Sequence, residues 1–95
     1  MVISDNNKKF LDDLVQYYIN ESESYKQFAN EYKEFSKSEM DVAFGLIVGS
    51  LYSTFLQTYA NQQLEVGLDD IQEFHEFIKS NAEQIRESLE KNQDS

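Results

Sequence analysis

Hydrophobic and polar positions divide the chain into three stretches. Residues 42–64 contain no charged residue, whereas the segments on either side are densely charged and mostly acidic. In both flanking segments apolar residues return every three or four positions, which is the period of an amphipathic helix. Because the chain also lacks proline, the pattern predicts an all-α protein with a central apolar helix between two amphipathic ones.

The first stretch predicts a long helix over about residues 5–36, with Asp5 as its N-cap. Its apolar residues repeat in sevens, as the a and d positions of a coiled-coil-like helix do. One column is Leu11, Tyr18, Tyr25 and Tyr32, and the other is Leu14, Phe28 and Phe35. Glu21 takes a d position inside a run of Asn and Ser, which are poor helix formers. We favour one continuous helix because the heptad phase survives this run. A break at residues 20–24 is the alternative and would give a four-helix bundle.

A capping pattern places the central apolar helix over about residues 39–65. Ser38 is followed three residues later by Asp41, which resembles the start of a capping box. Gly67 predicts the C-terminal cap, because glycine adopts the left-handed backbone conformation freely.

A narrow apolar stripe predicts a third helix over about residues 69–91. The stripe consists of Ile71, Phe74, Ile78, Ala82, Ile85 and Leu89. Asp69 is the predicted N-cap, and the tail from about residue 91 is expected to fray. The sequence therefore predicts a single helical domain, residues 1–95, with an antiparallel three-helix arrangement.

One face of the central helix is expected to stay uncovered, because two other helices offer too little apolar surface to enclose it. Small residues gather on this face, and glycine leaves room for an opposing backbone. The residues concerned are Gly45, Gly49, Tyr52, Ser53 and Leu56. Soluble monomers seldom expose such a patch, so we predict a homodimer that packs through it.

The third helix carries the predicted partner-facing surface. Phe77 lies off the apolar stripe among polar residues, a setting typical of contact anchors. Acidic residues line the outer side of the same helix. We predict that Glu73, Glu76 and Glu83 join Phe77 in binding another protein, and a basic partner would suit their charge.

The amino-acid composition argues against several classes of function. The net charge of −10 argues against direct binding to nucleic acid or anionic lipid, which recruit Lys and Arg. The chain has no cysteine and one histidine, His75. We therefore predict no catalytic centre, no metal site and no cofactor, and we interpret His75 as a boundary residue of the third helix. A cysteine-free chain also suits the cytoplasm.

These observations predict a non-enzymatic protein–protein interaction module, as a small homodimeric adaptor, regulator or accessory subunit. Two other functions stay open. The apolar residues 42–60 would hold a membrane-associated protein, although their strongly apolar part, Val42 to Leu56, is shorter than the roughly 20 residues that span a bilayer. The acidity would also serve an inhibitor that occupies the basic surface of a nucleic-acid-binding protein.

Overall fold

Four α-helices make up the described part of the chain. The computed structural model describes residues 3–91. The helices are α1 (Asp5–Asn20), α2 (Ser22–Asn30), α3 (Glu39–Asn61) and α4 (Leu68–Lys91), with a short 3-10 turn at Lys33–Phe35. No strand occurs within these residues, which confirms the all-α prediction. The fraying predicted after about residue 91 lies outside the described residues.

The prediction of a continuous first helix over residues 5–36 is wrong. The chain breaks at Glu21 into α1 and α2, which is the four-helix alternative. Asn20 and the serines that flank Glu21 favour a break, because such side chains compete for backbone hydrogen bonds. Heptad phase did not report continuity, because α2 turns a different side towards the core.

This change of side is visible in the burial of α2. Ser22 and Ala29 are buried, at 2% and 0% exposure, and the Ser22 hydroxyl donates to the carbonyl of Ser88 on α4 at 3.3 Å. Of the heptad aromatics in this part of the chain, Tyr25 is half-buried and packs on Tyr18, whereas three others are exposed: Phe28, Tyr32 and Phe35. Small side chains allow α2 to lie close to its neighbours, which large rings in the same positions would prevent.

Serine caps begin the first and third helices. Ser38 caps α3 as predicted, because its hydroxyl accepts the amide hydrogen of Asp41 at 3.1 Å. In α1 the N-cap is Ser4, which accepts from the amide of Asn7 at 3.1 Å. The predicted cap, Asp5, is instead the first helical residue.

α3 ends at Asn61, earlier than the predicted end near residue 65. Gln63 has a φ of 60°, the left-handed conformation, and the amide of Leu64 donates to the carbonyl of Tyr59 at 2.9 Å. These contacts form a Schellman motif with glutamine at the position where glycine is usual. Gly67 is therefore not the cap of α3.

Gly67 instead begins α4. Its carbonyl accepts from the amide of Ile71 at 3.2 Å, and its own amide donates to Asp70 Oδ2 at 2.9 Å. The latter contact is one half of a capping box, in which a side chain in the first turn reaches back to the N-cap amide. Asp69, the predicted cap, lies inside the first turn.

α1 and α4 run side by side in the same direction, and α3 is antiparallel to both. At one end, the Asn7 and Gln62 side chains exchange two hydrogen bonds of 3.1 and 2.9 Å. At the other end, Arg86 of α4 lies 3.5 Å from Asp41 of α3. The C-terminal end of α3 therefore meets the N-terminal ends of α1 and α4.

The core is built around one side of α3. Its buried residues are Ala43, Ile47, Leu51, Phe55 and Tyr59, a stripe with a spacing of four. Phe55 stacks on Phe74 of α4, with ring centroids 4.8 Å apart. Because α1, α2 and α4 all pack on α3, and the buried stripe is narrow, the opposite side of α3 faces outward.

Candidate functional site

The outward side of α3 brings together the five residues predicted for a dimer interface. Gly45, Gly49 and Ser53 are exposed, and Tyr52 and Leu56 flank them half-buried. We call these five residues the open face of α3. Within residues 3–91, a β-carbon built on Gly45 or Gly49 would meet no other side chain or neighbouring helix within 4 Å. No packing contact among these residues therefore requires two glycines in mid-helix, each of which costs roughly 1 kcal/mol of helix propensity.

The edge of the open face is formed by an aromatic contact with α4. The ring of Tyr52 stacks on His75, with centroids 6.3 Å apart and planes at 14°. Tyr52 also lies 5.4 Å from the Phe74 ring. Tyr52 is therefore held in place by α4, and the small residues beside it form a shallow surface with a fixed aromatic border.

A groove separates α1 from α4. It has a volume of about 650 Å³. Its floor is apolar, because Ile3 and Leu11 are each 2% exposed and Phe77 is half-buried between the helices. We call it the α1–α4 groove. Phe77 packs against the core as well as lining the groove.

Acidic side chains form the walls of this groove. Asp12 stands on the α1 wall, and Asp69 and Glu76 stand on the α4 wall, all three exposed. Glu73 lies midway along the α4 side, between Asp69 and Glu76. One of its carboxylate oxygens forms an ion pair with Lys8 Nζ at 2.7 Å, and the other accepts a hydrogen bond from the Ile3 amide at 3.1 Å.

The four residues predicted for partner binding therefore separate into different settings. Phe77, Glu73 and Glu76 line the α1–α4 groove, whereas Glu83 is exposed farther along α4 and outside the lining. The Glu73 carboxylate is engaged in holding the N-terminal segment against α4. Of the three predicted acids, Glu76 is the one that is both exposed and in the groove.

A buried polar contact joins α3 to α4 near the same end. The Tyr59 hydroxyl donates to Asp70 Oδ1 at 3.0 Å, while Asp70 Oδ2 accepts the amide of Gly67. Burial, followed by the hydrogen bond to Asp70, raises the pKa of Tyr59 to about 12. Sequence reasoning missed this contact. The available signal was an acid at position 70, four residues before Phe74 and therefore in register with the buried stripe.

His75 and the acidic side chains are the metal-ligating residue types in the part of the chain that the structure covers. His75 is exposed and contacts rings rather than a carboxylate or hydroxyl in the interactions resolved around it. Across residues 3–91 there is no group of three or more His, Asp or Glu side chains placed to hold a metal ion. The features with the clearest geometry are therefore the uncharged open face of α3 and the acidic α1–α4 groove.

Comparison with protein-family models, with curated proteins and with solved structures finds no match for this chain.

Proposed function

We propose that this protein is a non-enzymatic protein–protein interaction module that works as a homodimer, in the role of a small cytoplasmic adaptor, regulator or accessory subunit. The observation that carries the proposal is the open face of α3, which is uncharged and leaves Gly45 and Gly49 with free space above them. A second helix can approach such a surface closely, because glycine presents only backbone. The open face then becomes the dimer interface.

The lack of charge on the open face allows a second copy of this chain to be the occupant. Each copy carries a net charge of −10, so two copies repel each other unless their charges are kept apart. The open face brings no charge into the contact. Glu39 and Asp41 stand at the start of α3, whereas Asn61 and Gln62 at its end are neutral.

These ends indicate the orientation of the two copies. A two-fold axis perpendicular to α3 makes the paired helices antiparallel, which sets the acids of one copy beside the neutral end of the other. A parallel pair would place Glu39 and Asp41 of both copies together. The antiparallel pair also opposes the two helix dipoles, so it is the arrangement we propose.

Membrane association is the second candidate, and one observation favours it. Among the described residues, α3 is long and apolar enough to cross a membrane, and only 22% of its most apolar window is buried inside the molecule. Insertion of α3 would however break its contact with Asp70 through Tyr59. It would also uncover the apolar stripes of α1 and α4, so the dimer is the better-supported proposal.

Light scattering at micromolar concentration tests the dimer. We expect twice the chain mass of 11.1 kDa for the wild type. Gly49→Leu should shift the mass to that of one chain and keep the helical circular dichroism, because the added side chain points into open space within one copy. Gln16→Leu adds the same side chain at an exposed site of α1 and should leave the dimer intact.

Gly49→Ala gives a second, independent test of whether the open face forms the dimer interface. In a single chain alanine should stabilise α3 by about 1 kcal/mol, because it removes the entropic cost of glycine without a clash. In the dimer the same methyl group should weaken association. A wild-type monomer at high concentration would contradict the dimer, and recovery only in detergent-extracted membranes would favour the second candidate.

A further inference from the structure

The α1–α4 groove has the chemistry of a binding site for a particular class of segment. Its floor offers apolar contact mainly at the half-buried ring of Phe77, because Leu11 is only 2% exposed, and its walls carry carboxylates on both sides. Counting the lining charges, four carboxylates and one ammonium give −4 + 1 = −3. We propose that the α1–α4 groove binds a basic amphipathic segment of another protein, with an apolar side chain on the floor and Lys or Arg between the walls.

The position of the charges supports a cationic occupant. Asp12 on α1 faces the groove from one wall, and Asp69 and Glu76 on α4 face it from the other. A cation seated between them meets a carboxylate on either side, whereas an anion would be repelled by both. The partner is therefore distinguished by its charge from a second copy of this chain, which carries −10.

The pairing of Glu73 and the ring of Phe77 support a segment rather than a small cation. Lys8 pairs with Glu73 at 2.7 Å, midway between Asp69 and Glu76 on the α4 side, so this carboxylate already has a cation as its partner. The groove continues on both sides of the pair between two helices that run in the same direction, and the exposed part of the Phe77 ring favours an apolar side chain over a hydrated cation. Apolar side chains at helical spacing fit such a floor, as in other complexes where an amphipathic helix lies in a groove.

This inference rests on the proposed function only in taking the protein to be an interaction module. The groove and the open face of α3 are built by different residues. Light scattering on the same samples separates the two: a monomer that binds the probe contradicts the dimer alone, and a dimer that does not bind it contradicts the groove alone.

The test uses the full chain and a short synthetic peptide with lysines on one face and leucines on the other. Two variants on α4 change the net charge equally at different places. Gln72→Lys puts a positive charge in the groove lining, and Gln84→Lys puts one at an exposed site outside that lining. We expect titration calorimetry at low salt to show affinity falling about tenfold for Gln72→Lys and within about twofold for Gln84→Lys.

A second pair removes a single negative charge. Glu76→Gln, in the groove, should weaken the peptide about two- to fivefold, the range that an exposed ion pair contributes. Glu90→Gln, at the far end of α4, should leave the affinity within about twofold. A control peptide with serines in place of the leucines should bind at least about tenfold more weakly, because the apolar contact is lost.

Three results would overturn the proposal. Equal weakening by Gln72→Lys and Gln84→Lys would show that the peptide responds to the acidity of the whole molecule. Equal affinity of the serine peptide would show that the apolar floor contributes nothing. No binding of the leucine peptide at low salt would show that the groove does not accept this class of segment.

Discussion

Asp70 is a buried carboxylate whose two oxygens have different partners. One accepts the hydroxyl of Tyr59 from the last turns of α3, and the other accepts the amide of Gly67 at the start of α4. An isolated buried charge costs several kcal/mol, so both hydrogen bonds are needed to keep the carboxylate at 8% exposure. The contact therefore fixes the connection between α3 and α4, and with it one end of the open face.

Replacing Tyr59 by phenylalanine removes one of these donors, and we expect the free energy of unfolding to fall by about 1–3 kcal/mol at neutral pH. The pKa of Tyr59 is raised from 10.0 to about 12. The stability that this shift represents is fully present below pH 10 and is lost as pH rises from 10 towards 12, because the unfolded chain ionises first. Urea unfolding at neutral pH and at steps across that range measures the effect.

An exposed tyrosine provides the control for this pH series. Tyr17→Phe, at a residue that is 55% exposed, should change stability little at any pH. The difference between the wild type and Tyr59→Phe should shrink as pH rises from 10 towards 12. A difference that stays constant over that range would contradict the proposed role of the hydroxyl.

Among the helices, α2 shows that a heptad repeat in the sequence can continue past the residue at which the helix breaks. The heptad columns correctly identify Leu11 and Tyr18 as buried on α1. After Glu21 the columns hold only in part: Tyr25 still packs against the core, whereas Phe28 is exposed and Ser22 and Ala29 are buried instead. A heptad repeat fixes the spacing of residues within a helix, but not the direction in which a following helix leaves a break.

Substitutions at neighbouring positions of α2 distinguish the observed orientation of this helix from that expected for a continuous heptad helix. Ala29→Leu should destabilise the fold by about 1–3 kcal/mol, because Ala29 has 0% exposure and a larger side chain would have to displace its neighbours. Phe28→Ala should cost less, because Phe28 is 48% exposed. Thermal unfolding of both variants checks this order, and the reverse order would indicate the continuous heptad helix.

The two candidate surfaces differ in how far the sequence alone could predict them. The open face of α3 belongs to one helix, so helical periodicity and the lack of charge were enough to group Gly45, Gly49 and Ser53. The α1–α4 groove needs residues that are far apart in sequence, and contacts such as Lys8 with Glu73 cannot be read from periodicity. Sequence analysis therefore identified Phe77 and Glu76 but not Asp12 or Leu11 on the facing wall and floor.

Taken as a whole, the molecule presents two surfaces that differ in charge, one uncharged and one acidic. The open face of α3 is uncharged, but the copies that would meet through it each carry −10. The groove has a lining charge of −4 + 1 = −3, and its proposed ligand is cationic. Salt screens both the repulsion between two copies and the attraction of a cationic peptide, because the Debye length falls from about 30 Å at 0.01 M to about 8 Å at 0.15 M.

Raising the salt concentration should therefore strengthen the dimer and weaken peptide binding. Screening reduces the repulsion between two acidic copies, while their apolar contact is unaffected, so the dissociation constant measured by light scattering should fall. The same screening reduces the attraction between the groove and a lysine-rich peptide, so the constant measured by calorimetry should rise. A dimer that dissociates with added salt would mean that ion pairs hold it, which the uncharged open face cannot supply. Peptide binding that ignores salt would contradict the role given to Asp12, Asp69 and Glu76.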